Sequence, residues 1–250
     1  MLTDDQKRRY ARHLVLPGIS TAGQEKLLAS RVLIVGAGGL GSPLISYLAA
    51  AGVGALGIVD HDRVELSNLQ RQTIHETGDI GRAKVESARN RIEELNPEVH
   101  VTLFNERLTE SNAETIIAPF DLVADGCDNF ATRFLVGDTC LRLKKPLISA
   151  AIRAFEGQLS TFKPYLGNPH PCYRCFVSAE PGDTRTCSET GILGPVAGVM
   201  GSLQAVEVIK ELLGLGNSLS GYLLRYDGLS SQFRTSRLPK DSHCSTCNRL

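Results

Sequence analysis

Residues 31–62 read RVLIVGAGGLGSPLISYLAAAGVGALGIVDHD. The run Val32–Val35 is continuously apolar, which is typical of a parallel strand that is buried on both faces. A glycine-rich turn follows at 36–41, then an apolar helix-like stretch at 43–52, and then a second apolar strand that ends at Asp60. A strand, a glycine turn, a helix and a second strand that ends in an acid form the βαβ unit of nucleotide-binding domains.

The glycine turn has the chemistry of a phosphate site, although a tight turn that binds nothing is the alternative. Ser42 is predicted to cap the following helix, and Pro43 fits its first turn, where a missing N–H costs nothing. Free N–H groups and the helix dipole favour an anion there, and Asp60 suits the hydroxyls of a ribose. Glycines permit positive φ and close backbone approach; those of the turn are Gly36, Gly38, Gly39 and Gly41.

The composition is that of an ordinary globular chain. At 250 residues it can form one large domain or two small ones. Lys+Arg and Asp+Glu both number 27, so the net charge is zero and does not favour nucleic acid or an anionic membrane. No apolar run approaches the length of a membrane span, and residues 1–12 are too polar for a signal peptide. We therefore expect a cytoplasmic protein without nucleic-acid or membrane partners.

The first 150 residues alternate between helix and strand patterns. Regular alternation with short links predicts an α/β fold with a doubly wound, Rossmann-like and mostly parallel sheet. The predicted helices lie at 3–13, 21–29, 81–95, 112–117 and 130–143, and the further strands at 101–104, 121–125 and 146–150.

The pattern changes in the rest of the chain. The predicted elements there are an apolar helix at 203–213 and antiparallel strands at 158–162, 221–226 and 232–238. No linker rich in Pro, Gly or Ser separates the two parts. We therefore predict a single domain over residues 1–250, in which a nucleotide-binding half (1–150) continues into an antiparallel half (151–250).

Polar residues follow the predicted strands, at the edge where open α/β sheets bind ligands. After Asp60 the connection carries Asp62, Asn68 and Arg71, which suit a sugar, a phosphate or a metal. A surface loop could hold the same residues without any ligand. Lys84 lies in the first turn of a predicted helix, where the dipole disfavours a cation. A nearby anion would explain that position.

Two Cys-x-x-Cys pairs, Cys172/Cys175 and Cys244/Cys247, are separated by 68 residues. Four thiolates satisfy a tetrahedral Zn²⁺ and leave no open position for water, so the spacing predicts a structural zinc site. A cytosolic location favours zinc over disulfides, and a redox dithiol would need only one pair. The zinc would hold the carboxyl-terminal region against the body of the protein.

The remaining cysteines have different surroundings. Cys127 and Cys140 are predicted core residues. Cys187 lies in the polar segment 180–189, where a lone cysteine could act as a nucleophile. No activating base is visible in the sequence, so a spectator thiol is the competing interpretation.

Several of these motifs together resemble one known family. Over essentially its whole length the chain is similar to the ThiF/MoeB adenylyltransferases, which are related to ubiquitin-activating enzymes. The string Ser-Asn-Leu-Gln-Arg-Gln at 67–72 is more specific to this family than the glycine turn is. The other matching features are Arg12, the glycine turn, Asp60, Lys84, Cys127-Asp128-Asn129 and the two cysteine pairs.

The resemblance implies a homodimer that binds ATP with Mg²⁺ and adenylates a small β-grasp sulfur carrier. The acceptor would be the carboxyl-terminal glycine of a carrier that ends in Gly-Gly, and pyrophosphate would be released. Residues 151–250 would then bind the carrier as well as Zn²⁺.

The resemblance also implies roles for individual residues. Arg71 and Lys84 would neutralise the phosphates, and Asp128 would hold Mg²⁺. Arg12, the fourth predicted catalytic residue, would reach the nucleotide from the partner subunit. The implied ATP contacts are Gly36, Gly38, Gly39, Gly41, Asp60, Asp62, Ser67, Asn68, Leu69, Gln70, Arg71, Lys84, Asp128 and Asn129.

Within the family, the motifs are most similar to those of members that adenylate the small subunit of molybdopterin synthase for molybdenum cofactor biosynthesis. Members that act on the thiamine-pathway carrier share these motifs and are the alternative. No rhodanese-like extension follows Cys247, which implies a separate sulfur donor protein. In thiamine-type members a cysteine in the position of Cys187 takes over the acyl group, so Cys187 is a candidate nucleophile.

Two other classes of function compete with this interpretation. An NAD-dependent oxidoreductase would use the glycine turn and Asp60, but no hydride-site His or Tyr-x-x-x-Lys is evident and the 67–72 string has no role. A non-catalytic, zinc-stabilised scaffold for a carrier protein would not need Arg71, Lys84 and Asp128. These residues therefore favour an adenylyltransferase.

Overall fold

The computed structural model describes residues 1–179 and 191–248, and its largest element is an eight-stranded sheet with the strand order β3-β2-β1-β4-β5-β6-β7-β8. The strands are β1 (Arg31–Val35), β2 (Ala55–Val59), β3 (His100–Phe104), β4 (Leu122–Asp125), β5 (Leu147–Arg153), β6 (Glu156–Phe162), β7 (Tyr222–Asp227) and β8 (Gln232–Arg237). The helices are α1 (Asp4–Arg9), α2 (Ala11–Leu14), α3 (Ser20–Ala29), α4 (Gly41–Ala51), α5 (Lys84–Leu95), α6 (Ala113–Ile117), α7 (Phe130–Arg142), α8 (Tyr173–Phe176) and α9 (Gly194–Leu213).

The pairing of the strands divides the sheet into a parallel and an antiparallel part. β1 pairs in parallel with β2 on one side and with β4 on the other, and β3 and β5 extend these two sides. From β5 onward each strand pairs antiparallel with the next one in the chain. The predicted fold class, a doubly wound parallel sheet continued by antiparallel strands, is confirmed.

Successive residues of the central strands face two different helical layers. Val32 and Ile34 of β1 pack with α4, α5 and α9, whereas Leu33 and Val35 pack with α6 and α7. All four side chains are buried, which is why the strand is apolar without alternation. Among the described helices, none is both long enough and apolar enough to cross a bilayer.

Helix α9 is nine residues longer at its start than the predicted helix 203–213. It begins at Gly194, with a proline in its first turn, where the missing N–H needs no partner. Glycines in this region resemble a loop in the sequence, but Gly201 serves packing, because a Cβ there would overlap the carbonyl oxygen of Leu40. The close contact brings α9 against the glycine turn.

The predicted cap of α4 is wrong. The helix begins at Gly41, and its N-cap residue, Leu40, makes no side-chain hydrogen bond. Ser42 is buried, and its hydroxyl donates to the carbonyl of Gly38 at 2.7 Å, so it faces away from the N–H groups it was expected to cap. The start of α4 therefore has neither a side-chain cap nor an acidic residue in its first turn.

The amino-terminal helices lie at the edge of the sheet where the parallel strands begin. The predicted helix 3–13 is divided at Tyr10 into α1, which Thr3 caps, and α2. Tyr10 is buried against Gly52, and its hydroxyl accepts a hydrogen bond from Asn96 at 2.9 Å. Gly52 and Asn96 end α4 and α5, so Tyr10 packs far along both helices from the glycine turn.

Candidate active site

A cleft of about 1550 Å³ opens at the carboxyl ends of the parallel strands. The strand order reverses next to β1, because β2 and β3 lie on one side of it and β4 and β5 on the other. Ligands of open α/β sheets bind at such a switch point. The predicted site residues that line the cleft are Gly36, Gly38, Gly39, Asp60, Asp62, Arg71, Lys84, Asp128 and Asn129. Of the described residues predicted to act in catalysis or ATP binding, those that do not line it are Arg12, Gly41, Ser67, Asn68, Leu69 and Gln70.

The glycine turn depends on glycine at two positions. Gly36 has a φ of +96°, a backbone conformation that residues with a side chain rarely adopt. A Cβ on Gly41 would overlap the carbonyl oxygen of Gly36, so the turn closes on itself at that point. Gly39 faces the cleft beside Arg71 and Ala197. At Gly36, Gly38 and Gly39 the turn therefore presents backbone to the cleft.

Asp60 at the end of β2 holds the loops on both sides of it. One carboxylate oxygen accepts the N–H of Ala37 at 2.8 Å, and the other accepts the N–H of Asp62 at 2.8 Å. Each oxygen has a further lone pair, so the carboxylate can also accept from ligand hydroxyls. Asp60 thus has the geometry for a ribose site and a structural role besides.

Lys84 lies in the first turn of α5, and the anion beside it is the carboxylate of Asp62. The Lys84 Nζ lies 2.9 Å from an Asp62 carboxylate oxygen. Partial burial raises the pKa of Asp62, but the hydrogen bond and charge of Lys84 outweigh this effect and hold that pKa below its usual range. Lys84 is only 5% exposed, whereas the Asp62 side chain is 52% exposed, so the pair is open to the cleft on one side.

The string at 67–72 forms a compact turn whose last two residues reach the cleft. Asn68 accepts the backbone N–H of Glu65 and ends a short 3₁₀ helix, while Arg71 donates to the Ser67 carbonyl at 3.1 Å. Gln72 is 4% exposed and lines the cleft, and its Oε1 atom has no partner among the described residues. Buried polar atoms are rarely left unpaired, so Gln72 is a cleft residue with a free acceptor that the sequence analysis missed.

Asp128 and Asn129 stand where β4 leads into α7. Asp128 is exposed to the cleft and has no hydrogen bond or ion pair within residues 1–179 and 191–248. The Asn129 side chain accepts the N–H of Thr132 at 2.9 Å and so caps α7. Asn129 therefore has a structural function whether or not it contacts a nucleotide.

Arg12 lies on α2, with the other amino-terminal helices, and is exposed. It is not among the described residues that line the cleft of its own chain. Its neighbour His13 bonds Gln24, which donates to the Ala51 carbonyl at the far end of α4. Within one chain, Arg12 therefore lies at the opposite edge of the sheet from the glycine turn.

A buried polar network beneath the Asp128 loop is absent from the sequence predictions. Asp125 and Arg133 form an ion pair at 3.4 Å, and Ser149 bonds both partners. Gln204 donates to the Asp125 carbonyl at 2.9 Å. The partners come from four separate elements, so no local motif in the sequence predicts the network.

The four cysteines predicted to bind zinc form one cluster of free thiols. The Sγ atoms all lie within 4.8 Å of one another, and three of their separations are 3.5, 3.6 and 3.7 Å. Zn–S bonds of about 2.3 Å in a tetrahedron place sulfurs about 3.8 Å apart, whereas a disulfide requires about 2 Å. The cluster has the donors and the size for a four-coordinate metal: Cys172, Cys175, Cys244 and Cys247.

Residues between the first two cysteines attach this cluster to α7. Arg174 donates two hydrogen bonds to Asp138 at 2.7 and 2.9 Å, and its guanidinium lies 4.6 Å from the Phe134 ring centroid. Tyr173 packs against Gly137, where a Cβ would meet it at 2.9 Å. The cysteine cluster is thereby fixed to the helix that begins beside the cleft.

The other cysteines differ in accessibility. Cys127 and Cys140 are buried, which confirms the prediction that they belong to the core. Burial raises the pKa of the Cys127 thiol well above its usual range, which disfavours a thiolate beside the cleft. Cys187, the candidate nucleophile, lies outside the described residues.

Residues 10–246 match the ThiF family. The chain belongs to the ThiF family. Among its relatives, a sulfur carrier protein adenylyltransferase of Thermus thermophilus is 45% identical over 98% of this chain and 92% of that protein. The adenylyltransferase and sulfurtransferase MOCS3 of Aedes aegypti is 46% identical, and this chain covers 56% of its length. A probable molybdopterin-synthase adenylyltransferase of Porphyra purpurea is 47% identical over 92% of this chain and 60% of that protein.

Solved structures agree with this ThiF-family fold. A crystal structure of E. coli MccB with MccA-N7isoASN superposes with a TM-score of 0.83, covering 96% of this chain and 74% of that chain at 22% identity. The structure of PaaA superposes with a TM-score of 0.80 at 22% identity, over 96% and 76% of the two chains. At this level of identity the likeness establishes the fold of the ThiF-family chain.

Proposed function

We propose that this ThiF-family protein adenylates the carboxyl-terminal glycine of a small β-grasp sulfur carrier that ends in Gly-Gly. The observation that carries the proposal is the convergence of Asp60, Arg71, Lys84 and Asp128 around one glycine turn. Relatives that are about 45% identical bear the names of sulfur-carrier and molybdopterin-synthase adenylyltransferases, which supports this reaction.

The proposed reaction needs positioning and charge neutralisation more than covalent help from the protein. A glycine carboxylate oxygen attacks the α-phosphorus of ATP, the bond to the β-phosphate oxygen breaks, and pyrophosphate leaves with that electron pair. A carboxylate must here approach a polyanion, so cations that reduce the repulsion accelerate the step. Arg71 and Lys84 would provide this charge, while Asp60 would accept hydrogen bonds from the ribose.

Asp128 would hold Mg²⁺ on the phosphates. An exposed carboxylate oxygen without a partner among the described residues is the hard ligand that Mg²⁺ prefers, and one or two carboxylates usually suffice beside substrate phosphates. The ion would screen the phosphate charge when it is bound. The described part of the chain fits this assignment through the open position of Asp128 in the cleft.

The remaining assignments belong to the same proposal. Zn²⁺ would occupy the cluster of four cysteines as a structural metal, and Arg12 would enter the cleft of the partner subunit in a homodimer. A separate protein would donate sulfur to the adenylated carrier in the cytoplasm. The carrier would bind along residues 151–250, whose strands continue the cleft wall.

The molybdenum cofactor pathway is the proposed context, with the thiamine pathway as the alternative. The name of the Porphyra purpurea relative supports the first, whereas the Thermus thermophilus name specifies only a sulfur carrier. A covalent role for Cys187 would accompany the thiamine alternative. The cofactors of the proposal are ATP, Mg²⁺ and Zn²⁺.

ATP–pyrophosphate exchange with purified carriers tests the proposed function. One carrier should be of the molybdopterin type and one of the thiamine type, and each needs a control that lacks its last glycine. We expect exchange that depends on the intact carrier and is lost in Asp128→Ala. The preferred carrier identifies the pathway. Absence of exchange with either carrier, together with tight NAD binding, would instead support the oxidoreductase.

A further inference from the structure

A buried ion pair lies directly beneath the loop that carries Asp128. Asp125 ends β4 and is 1% exposed, while Arg133 lies in the second turn of α7 and is 7% exposed. Taking both charges out of water is costly, and a buried ion pair often adds little net stability. The contacts of this pair indicate a role in the shape of the loop.

The two charged groups hold Cys127 from opposite sides. The Asp125 carboxylate accepts the Cys127 N–H at 3.0 Å, and the Arg133 guanidinium donates to the Cys127 carbonyl. That carbonyl belongs to the peptide group that joins Cys127 to Asp128. Because a peptide group is planar, its orientation fixes the direction in which the chain enters Asp128.

The pair is itself anchored to neighbouring elements. Arg133 also donates to the Ala150 carbonyl on β5 at 2.9 Å, and Ser149 donates to the Asp125 carboxylate at 2.9 Å. From the other helical layer, Gln204 donates to the Asp125 carbonyl. Burial lowers the pKa of the Arg133 guanidinium, but the nearby Asp125 carboxylate and its neighbours outweigh this effect, so that the pKa lies above its usual range. The loop is therefore held by a charged and rigid support.

We propose that Asp125 and Arg133 are positioning residues for adenylation, which fix the peptide groups of Cys127 and thereby aim the Asp128 carboxylate at the metal of bound MgATP. The inference rests on the proposed function, since it takes Asp128 as the Mg²⁺ ligand. Neither residue has to touch the reacting atoms. Loss of a group that orients a metal ligand typically weakens metal binding 10–100-fold.

A double variant tests this role. Arg133→Met alone would leave Asp125 buried without a partner, which is strongly destabilising, so Asp125→Asn and Arg133→Met are combined to remove both charges. The matched control, Lys163→Met with Glu211→Gln, removes another largely buried ion pair, at 2.9 Å and outside the cleft. Arg133→Lys is a third variant, which keeps the charge but cannot reproduce the planar set of donors.

The decisive quantity is the Mg²⁺ concentration at half-maximal ATP–pyrophosphate exchange, measured with saturating ATP and carrier. We expect it to rise about 10–100-fold in the double variant, to rise less in Arg133→Lys, and to remain unchanged in the control. A second readout is the melting temperature with a non-hydrolysable ATP analogue. The analogue should raise the melting temperature further when Mg²⁺ is added, and the double variant should need correspondingly more Mg²⁺ for this further rise. The rise that the analogue produces without Mg²⁺ should be the same in the double variant as in the wild type.

The outcomes separate this inference from the proposed function. If the wild-type protein shows no carrier-dependent exchange, the proposed function fails. If wild-type exchange is normal but the double variant keeps the wild-type Mg²⁺ dependence, the positioning role is wrong. An equal change in the control would also contradict it, because the effect would then reflect general destabilisation. Should the double variant fail to fold, Arg133→Lys decides by the same comparison.

Discussion

The Lys84–Asp62 pair limits the positive charge that Lys84 can offer to an anion in the cleft. Lys84 lines the cleft in which we propose that ATP binds, but Asp62 already neutralises part of its charge. A bound polyphosphate would therefore have to share the ammonium with Asp62. Asp62 provides the buried ammonium of Lys84 with a counter-ion before any ligand binds. The same carboxylate weakens the attraction of Lys84 for other anions.

Substitution of Asp62 should destabilise the protein in a pH-dependent way. We expect Asp62→Asn to lower the free energy of unfolding by about 1–2 kcal/mol near pH 7, less than for a fully buried pair because Asp62 is half exposed. The folded-state pKa of Asp62 lies below its usual range, so this contribution is present above the unfolded pKa of about 3.9 and is lost as the pH falls through the folded pKa.

Urea titrations of both proteins between pH 7 and pH 3 measure this difference. The gap between wild type and Asp62→Asn should shrink below about pH 4. Asp4→Asn, which removes a solvent-exposed pair with Lys7, is the control and should change stability very little at any pH. A gap for Asp62→Asn that stays constant over the whole range would contradict the ion-pair explanation.

The glycines of the turn should differ sharply in their tolerance of a methyl group. Gly41→Ala places a Cβ on the Gly36 carbonyl oxygen, and overpacking against backbone costs about 1–3 kcal/mol or more. Gly38→Ala is the matched variant, since its nearest neighbour would be the Gln72 amide at 3.7 Å, an ordinary contact. Chemical denaturation of the two variants checks this expectation, and equal losses of stability would count against it.

At the residue scale, the sequence predicts what depends on local spacing. The glycine turn, Asp60 and the cysteine pairs could be located because their chemistry resides in short motifs. The partner of Lys84 could not be identified, although the dipole argument correctly indicated that an anion was near. The roles of Asp125 and Arg133 could not be predicted from the sequence, because they depend on burial and on partners that are distant in the chain.

At the scale of elements, α7 connects the cleft to the cysteine cluster. Asp128 precedes its first turn, Asn129 caps it, and Arg174 and Tyr173 pack along its side. One helix therefore contacts both the loop of Asp128 and the residues beside the cysteine cluster.

The cap of α7 can be separated from nucleotide binding by two substitutions. Asn129→Ala should cost about 1 kcal/mol of stability, whereas Asn129→Ser keeps an acceptor for the Thr132 N–H and should retain most of it. Melting temperatures test the cap, and the ATP concentration for half-maximal exchange tests the nucleotide contact. If the Ser variant melts as low as the Ala variant, the cap is not what Asn129 contributes.

Element types could be predicted from periodicity, but the boundaries depended on packing. The antiparallel strands were found from their composition, and each proved to pair with its neighbour in the chain. Helix α9 begins nine residues before its predicted start. Glycines favour a loop when only the local sequence is considered, but Gly201 permits close contact between α9 and Leu40. The role of Ser42 was wrongly predicted for a similar reason, since its preferred acceptor is the Gly38 carbonyl.

At the scale of the whole molecule, topology explains why one predicted site residue stands apart. The alternation of strands and helices was sufficient to predict the sheet, since parallel strands need crossover helices. It could not locate the amino-terminal helices, whose place is set by the contacts of Tyr10 with Gly52 and Asn96. Because Arg12 lies at the edge opposite the cleft, its proposed role requires a second subunit.

Metal removal should loosen the carboxyl-terminal region. If Zn²⁺ occupies the cysteine cluster, the purified protein will contain one equivalent, and Cys244→Ser will lose most of it. We expect a lower melting temperature both in this variant and after chelation of the wild type, with no further decrease when the variant is treated with chelator. Full retention of metal by Cys244→Ser would contradict the four-cysteine site.

A metal bound in the cysteine cluster would also make the stability of the protein depend on the free metal concentration around it. It joins residues 72 apart in the chain, so a bound metal closes a loop that contains α9, β7 and β8. A ligand that binds only the folded form adds RT ln(1 + [L]/Kd), which amounts to about 1.4 kcal/mol for each tenfold rise in free metal once the site is saturated. If the cluster binds a metal, a melting temperature for this protein has meaning only at a stated free metal concentration, and competition among metal-binding proteins in a cell would set the stability of its last two strands.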